Sequence, residues 1–130
     1  MKMIGTKTHG YIDYVMGIAL AIAPWVLGFA SNGAHGAETW VMVLLGAGTI
    51  LYSLMTDYEM GASRIISMRT HLVLDVLAGA FLAASPWILD FHEFVYAPHV
   101  VLGIAEIAIA LVTKTHPSNE RQKHSAAATH

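Results

Sequence analysis

The sequence predicts an all-α protein of four transmembrane helices. They form two parallel helical-hairpin repeats related by a pseudo-two-fold axis along the membrane normal. Three observations lead there: an apolar composition, four apolar stretches of near-spanning length, and an internal duplication. The chain has 130 residues, 55% hydrophobic and 12% charged, with a mean hydropathy of +0.55. A soluble domain of this size carries more polar surface than that.

The apolar stretches run roughly over 11–30, 40–55, 72–91 and 94–113. A helix rises about 1.5 Å per residue and the hydrocarbon core is about 30 Å thick, so about 20 residues are needed to cross it. Three stretches meet that length. The second needs Thr39 and Thr56 at its ends and is expected to stand nearly upright.

The duplication fixes how they are grouped. Sliding the chain by 62 positions aligns 2–29 with 64–91 without a gap, pairing Thr8-His9 with Thr70-His71, Asp13 with Asp75, Gly17 with Gly79 and Pro24-Trp25 with Pro86-Trp87. The second halves align more weakly at an offset of 57, matching Gly46 with Gly103 and Leu54 with Leu111. Each repeat is therefore one hairpin: 2–58 with helices about 11–30 and 39–56, then a connecting segment over 59–70, then 71–115 with helices about 71–91 and 97–114. A polar tail, 116–130, is expected to be disordered. Because the first stretch recurs in mid-chain, it reads as a retained helix and not as a cleaved signal.

Charge sets the expected orientation. All seven Lys and Arg lie near the N-terminus (Lys2, Lys7), in the connecting segment (Arg64, Arg69) or at the C-terminal end (Lys114, Arg121, Lys123). The other two loops hold Glu38 and Glu93. The positive-inside rule then places both termini and the connecting segment in the cytoplasm. The lipid bilayer is the expected partner, with a homo-dimer or another membrane protein as the protein-level partner. A net charge of −2 and the lack of a basic patch speak against nucleic acid.

The paired helices predict local structure. Gly17-x-x-x-Ala21 and Gly79-x-x-x-Ala83 place small residues one turn apart, which allows close backbone approach, and the first and third helices are expected to line the axis. Pro24 and Pro86 each free the carbonyl four residues earlier, at Leu20 or Leu82, and bend the helix. Trp25 and Trp87 follow as interface anchors. Ser85-Pro86-Trp87, in the context "PW-[VI]-L-x-F", resembles the SPW repeat family of small bacterial and archaeal membrane proteins; the first copy departs from it as Ala23-Pro24-Trp25. The resemblance covers roughly residues 4–113. It implies a four-helix integral protein of a prokaryotic inner or plasma membrane and carries no assigned activity.

Chemistry-bearing residues are few. Zero cysteines exclude disulfides, thiol-ligated zinc and iron–sulfur clusters. No nucleophile elbow, phosphate-binding glycine loop or HExxH pattern is present, so no enzyme is predicted and no cofactor is required. The candidate polar site is His9, Asp13, His71, Asp75 and Glu106. His and Asp at i and i+4 share a helix face, Thr8 and Thr70 are candidate N-caps, and two copies about an axis would bring two His and two Asp together. Three functions fit these residues. The leading one is a non-enzymatic structural or partner-binding membrane component. The second is a proton or cation channel or carrier using Asp13, Asp75 and Glu106. The third is a metal- or haem-binding protein through His9 and His71. In the structural reading, Asp13 and Asp75 pair with Lys7 and Arg69 or with interhelical donors. Glu106, near mid-depth on the fourth helix opposite Thr49 in the repeat, is protonated or paired with Tyr52, Thr49 or a histidine.

Overall fold

The computed structural model describes residues 3–30 and 36–115. The expected disordered tail, together with Lys2, Arg121 and Lys123, lies outside the described residues. The described chain is all-α, with helices α1 (Thr6–Val26), α2 (Ala37–Leu54), α3 (Met68–Ile88) and α4 (Ala97–Leu111). Two of them, α2 and α3, are long and apolar enough to cross a membrane.

Helix ends follow hydrogen bonding more than apolarity. α1 and α3 begin earlier than their apolar stretches because the polar turns Thr6–Gly10 and Met68–His71 are already helical. Thr8 and Thr70 are therefore not caps. Gly5 stands at the N-cap of α1 without a side-chain bond, and Ser67 caps α3 by accepting from the Thr70 N–H at 3.2 Å. α1 and α3 stop within two residues of the Pro-Trp pairs. The x of "PW-[VI]-L-x-F" then takes a left-handed backbone, Gly28 at φ 87° and Asp90 at φ 59°. That conformation turns the chain out of the helix.

Proline's missing donor is handled differently in the two copies. Pro86 leaves Leu82 O without its helical partner, and Ser85 Oγ donates to that carbonyl at 2.7 Å. Ala23 has no hydroxyl to do the same for Leu20. The serine of the triplet is thus a local replacement for the proline's lost N–H.

Within each hairpin the helices meet at glycines. A Cβ on Gly46 would lie 2.6 Å from Gly17 O, and one on Gly103 would lie 2.5 Å from Gly79 O. The small residues of α1 and α3 are therefore used against α2 and α4, inside each hairpin, and do not bring α1 and α3 together as the sequence led us to expect. α1 and α3 meet instead through side chains of their first turns. Between hairpins the principal backbone contact is α2 with α3.

The hairpins also exchange partners at one end. Ile4, before α1, forms a single bridge with Thr113, after α4; Ile66, before α3, forms one with Thr56, after α2. The hydrogen bonds correspond: Ile4 N–H donates to Val112 O at 2.9 Å and Ile66 N–H to Met55 O at 2.8 Å, while Lys114 N–H donates to Ile4 O and Asp57 N–H to Ile66 O. The described basic residues, Lys7, Arg64, Arg69 and Lys114, are all exposed at this end.

The interior divides accordingly. Away from the bridges it is built on Leu20, Met42, Leu82, Phe29 and Phe91, with the buried His99 between the two phenylalanines. Near them it is polar: His9, Asp13, Thr49, Thr56, His71, Asp75, Glu106 and Thr113 are all buried.

Candidate functional site

Four of the five candidate residues converge. His9 and Asp13 come from α1, His71 and Asp75 from α3, and each pair spans one helical turn. His9 Nε2 lies 2.9 Å from Asp13 Oδ1 and 2.8 Å from Asp75 Oδ2. His71 Nε2 lies 2.9 Å from Asp13 Oδ2 and 3.3 Å from Asp75 Oδ2. Each imidazole thus faces both carboxylates, and the two rings meet edge-on with centroids 5.4 Å apart. Asp13 and Asp75 pair with these histidines, not with Lys7 or Arg69, whose side chains are exposed.

The far side of each ring is fixed by a threonine of the other repeat. His9 Nδ1 lies 2.8 Å from Thr113 Oγ1, and His71 Nδ1 lies 2.7 Å from Thr56 Oγ1. Each hydroxyl has one proton and spends it on a backbone carbonyl in its own helix, Thr113 on Ile109 O and Thr56 on Tyr52 O, both at 2.6 Å. Each threonine oxygen must therefore accept from the ring, so Nδ1 carries hydrogen in both histidines. What the rings present to the carboxylates is Nε2. At His71 neither carboxylate lies along the ring's N–H direction, and Nε2 is a buried atom without a hydrogen-bond partner.

The carboxylates are held by phenols. Tyr52 donates to Asp75 Oδ1, and Tyr58 donates to Asp13 Oδ2 at 3.0 Å. Tyr58 lies just before the connecting segment, in the link between α2 and α3 that folds back on the start of α1: Thr6 Oγ1 bonds the Glu59 carboxylate and Tyr14 OH donates to Met60 O. Burial, with the Asp13 charge beside it, pushes the Tyr58 phenol well above its usual range, so it stays a donor.

Glu106 is the asymmetric member. Its repeat counterpart Thr49 bonds Tyr52 OH, which is committed to Asp75, so the tyrosine does not serve Glu106. Glu106 Oε2 is buried without a partner. It borders a cavity of about 10 Å³ with His9, Ile12, Asp13, Met16, Asp75 and Ile109. That space is at the lower edge of what one water needs. A porphyrin does not fit there, and the histidine rings are already in contact, so the site does not accommodate haem.

Pro24 and Pro86 are buried in the last turns, while Trp25 and Trp87 are about half exposed beside them. A model of the SPW repeat domain matches residues 7–113. The chain belongs to the SPW repeat family. No curated protein and no solved structure is detectably similar to it. In this SPW repeat chain the Ser85-Pro86-Trp87 triplet and its counterpart Ala23-Pro24-Trp25 lie in the turns farthest along α3 and α1 from the His/Asp cluster.

Sequence reasoning found the four converging residues and missed those that orient them. Thr56 and Thr113 sit at equivalent places when the second halves are aligned at the 57-residue offset, so the signal was present. Tyr58 has no counterpart in the second repeat and no pattern to announce it.

Proposed function

We propose that this chain is a four-span integral membrane protein, non-enzymatic, that serves as a structural or partner-binding component of a prokaryotic plasma membrane. The observation that carries the reading is an inverted distribution of polarity. Val15, Ile18, Ile22, Leu44, Leu51, Leu77, Val101, Ile104 and Leu111 are each at least half exposed along the four helices, while histidines, carboxylates and threonines are buried beside the apolar core. In water such a surface would aggregate; in lipid it is the required one, and the ionisable groups are where a bilayer demands them, turned inward and paired. The exchange of bridges supports two parallel hairpins about a pseudo-two-fold axis. The exposed basic residues at the bridged end support cytoplasmic termini.

In this reading the His/Asp tetrad is a clasp. Its four groups face one another and are buried, which favours fastening over catalysis. The partner surface is the apolar helix exterior, open to a second copy or to another membrane protein.

Topology is testable because the native chain has no cysteine. Single cysteines at Arg64, Glu93 and Lys114 are expected to give a split pattern, with 93 labelled from outside the cell and 64 and 114 only in inverted vesicles. Release of the protein by alkaline carbonate, or the reversed labelling pattern, would sink the reading.

A second reading, proton or cation transfer through Asp13, Asp75 and Glu106, draws on the unpartnered Glu106 oxygen at the small cavity. It predicts flux in proteoliposomes that Glu106→Gln abolishes while the fold persists. Wild-type vesicles tight to protons and to several cations would count against it.

A further inference from the structure

We infer that His9, Asp13, His71 and Asp75 bind one divalent first-row transition-metal ion, of the zinc type, in a closed four-ligand site between the two hairpins. The inference goes beyond the clasp, which would hold the hairpins together by ion pairs alone.

Orientation is the first argument. Both imidazoles donate Nδ1–H to a threonine that is itself anchored to a helix carbonyl, so Nε2 is the ring atom that each turns toward the carboxylates, and the proton that His9 Nε2 gives to Asp75 Oδ2 at 2.8 Å is the one an ion would displace. Metal-bound histidines are held in this way, with the distal N–H given to a fixed oxygen that sets tautomer and ring angle. The repeat supplies that device twice.

An unfilled requirement is the second argument. His71 is fully buried, yet its Nε2 has no hydrogen-bond partner although two carboxylate oxygens stand within 3.3 Å. Those oxygens are near but off-axis. An ion between the four groups would satisfy that nitrogen and both carboxylates together.

The dimensions agree. One ligand atom from each residue lies within 4.8 Å of the other three. Tetrahedral bonds of about 2.0–2.2 Å separate ligand atoms by about 3.4 Å. The four nitrogen–oxygen separations of 2.8 to 3.3 Å would open by about 0.1 to 0.6 Å, and the widest pair, within 4.8 Å, would draw in.

Ligand chemistry selects the class. Two carboxylates and a divalent ion sum to zero charge with both imidazoles neutral, as an apolar surrounding requires. Imidazole nitrogens disfavour calcium and magnesium, and the absence of thiolates disfavours copper(I). With four protein ligands there is no open position, so the ion is structural.

The test uses the full chain in detergent, purified on a tag without histidine, stripped with a chelator and loaded with cobalt(II). The expected result is the intense visible spectrum of tetrahedral cobalt at one equivalent per chain, displaced by zinc. Asp13→Asn with Asp75→Asn should abolish it, His92→Ala at the far end should leave it unchanged, and Thr56→Val with Thr113→Val should weaken binding about 10- to 100-fold. If the Asn variant fails to fold, the wild-type spectrum still decides. A helical wild-type protein with no cobalt bands, or only the weak bands of octahedral cobalt, overturns the site, as does loss of the bands in His92→Ala. A clasp without an ion is recognised separately: the Asn variant would then be destabilised while the wild type shows no cobalt spectrum.

Discussion

At the level of single residues, the polar interior is ordered by hydroxyls that link a backbone carbonyl to a ring nitrogen. Thr56 and Thr113 each give a proton to a carbonyl and take one from a histidine. Replacing either by valine keeps the shape and strands an N–H in a sealed interior, which costs about 1–3 kcal/mol. We expect Thr56→Val and Thr113→Val to lower stability in detergent by that amount each, with Thr8→Val, at an exposed position, near zero; equal effects at all three would remove the basis for placing hydrogen on Nδ1. Ser85 carries a smaller burden. Ser85→Ala leaves Leu82 O without a donor and should cost about 1 kcal/mol, whereas Ala23→Ser offers the first repeat the same repair and should be neutral or stabilising. Asp90 holds a left-handed backbone that glycine holds at its counterpart Gly28. Asp90→Gly should therefore be tolerated and Asp90→Val should cost about 1–2 kcal/mol, readable as a shift in the unfolding midpoint.

At the level of helices, the two hairpins are each closed by a glycine pair. Gly46→Ala and Gly103→Ala press a methyl into backbone at 2.6 and 2.5 Å, so the helices must separate. An expected loss of about 1–3 kcal/mol follows from such overpacking. Gly48 has open space around its missing Cβ, and Gly48→Ala should instead gain about 0.5–1 kcal/mol through helix propensity. If all three alanines behaved alike, close contact would not be what these glycines provide. Much of this level was legible in the sequence. The 62- and 57-residue offsets identified the hairpins, and Gly46 was already matched with Gly103. What the sequence withheld was which helix each small face would meet, because a glycine stripe specifies closeness and not a partner. Helix starts were misjudged for a related reason: apolarity marks where a segment would contact lipid, while hydrogen bonding carries α1 back through the polar turn at Thr6–Gly10.

For the whole molecule, the decisive feature is reciprocity. Each hairpin's histidine is oriented by a threonine of the other, and each hairpin's leading residue bridges the other's trailing one. Convergence of His9, Asp13, His71 and Asp75 was readable from the duplication, since ionisable residues repeated at matching positions on two apolar helices gain by turning toward one another. Tyr58 was not readable, because the link between α2 and α3 occurs once and its fold depends on the cluster it covers. Reciprocity predicts that residues 1–62 and 63–130, produced as separate chains in one cell, will copurify in equal amounts, and that Thr56→Val in one fragment will weaken the association. Independent, stable purification of either half would contradict that dependence.

The paired bridges also bring the start of α1 beside the end of α4. Lys114 already touches Ile4, so a short linker could join the end of α4 to the start of α1 across the bridged end, without the Tyr58–Met60 turn that the junction between α2 and α3 packs on α1. Opened at Ser63 instead, the polypeptide would present its two units in reverse sequence order and could keep both bridges. Seen this way the described residues approach a closed loop, with a covalent seam at one junction and a hydrogen-bonded seam at the other.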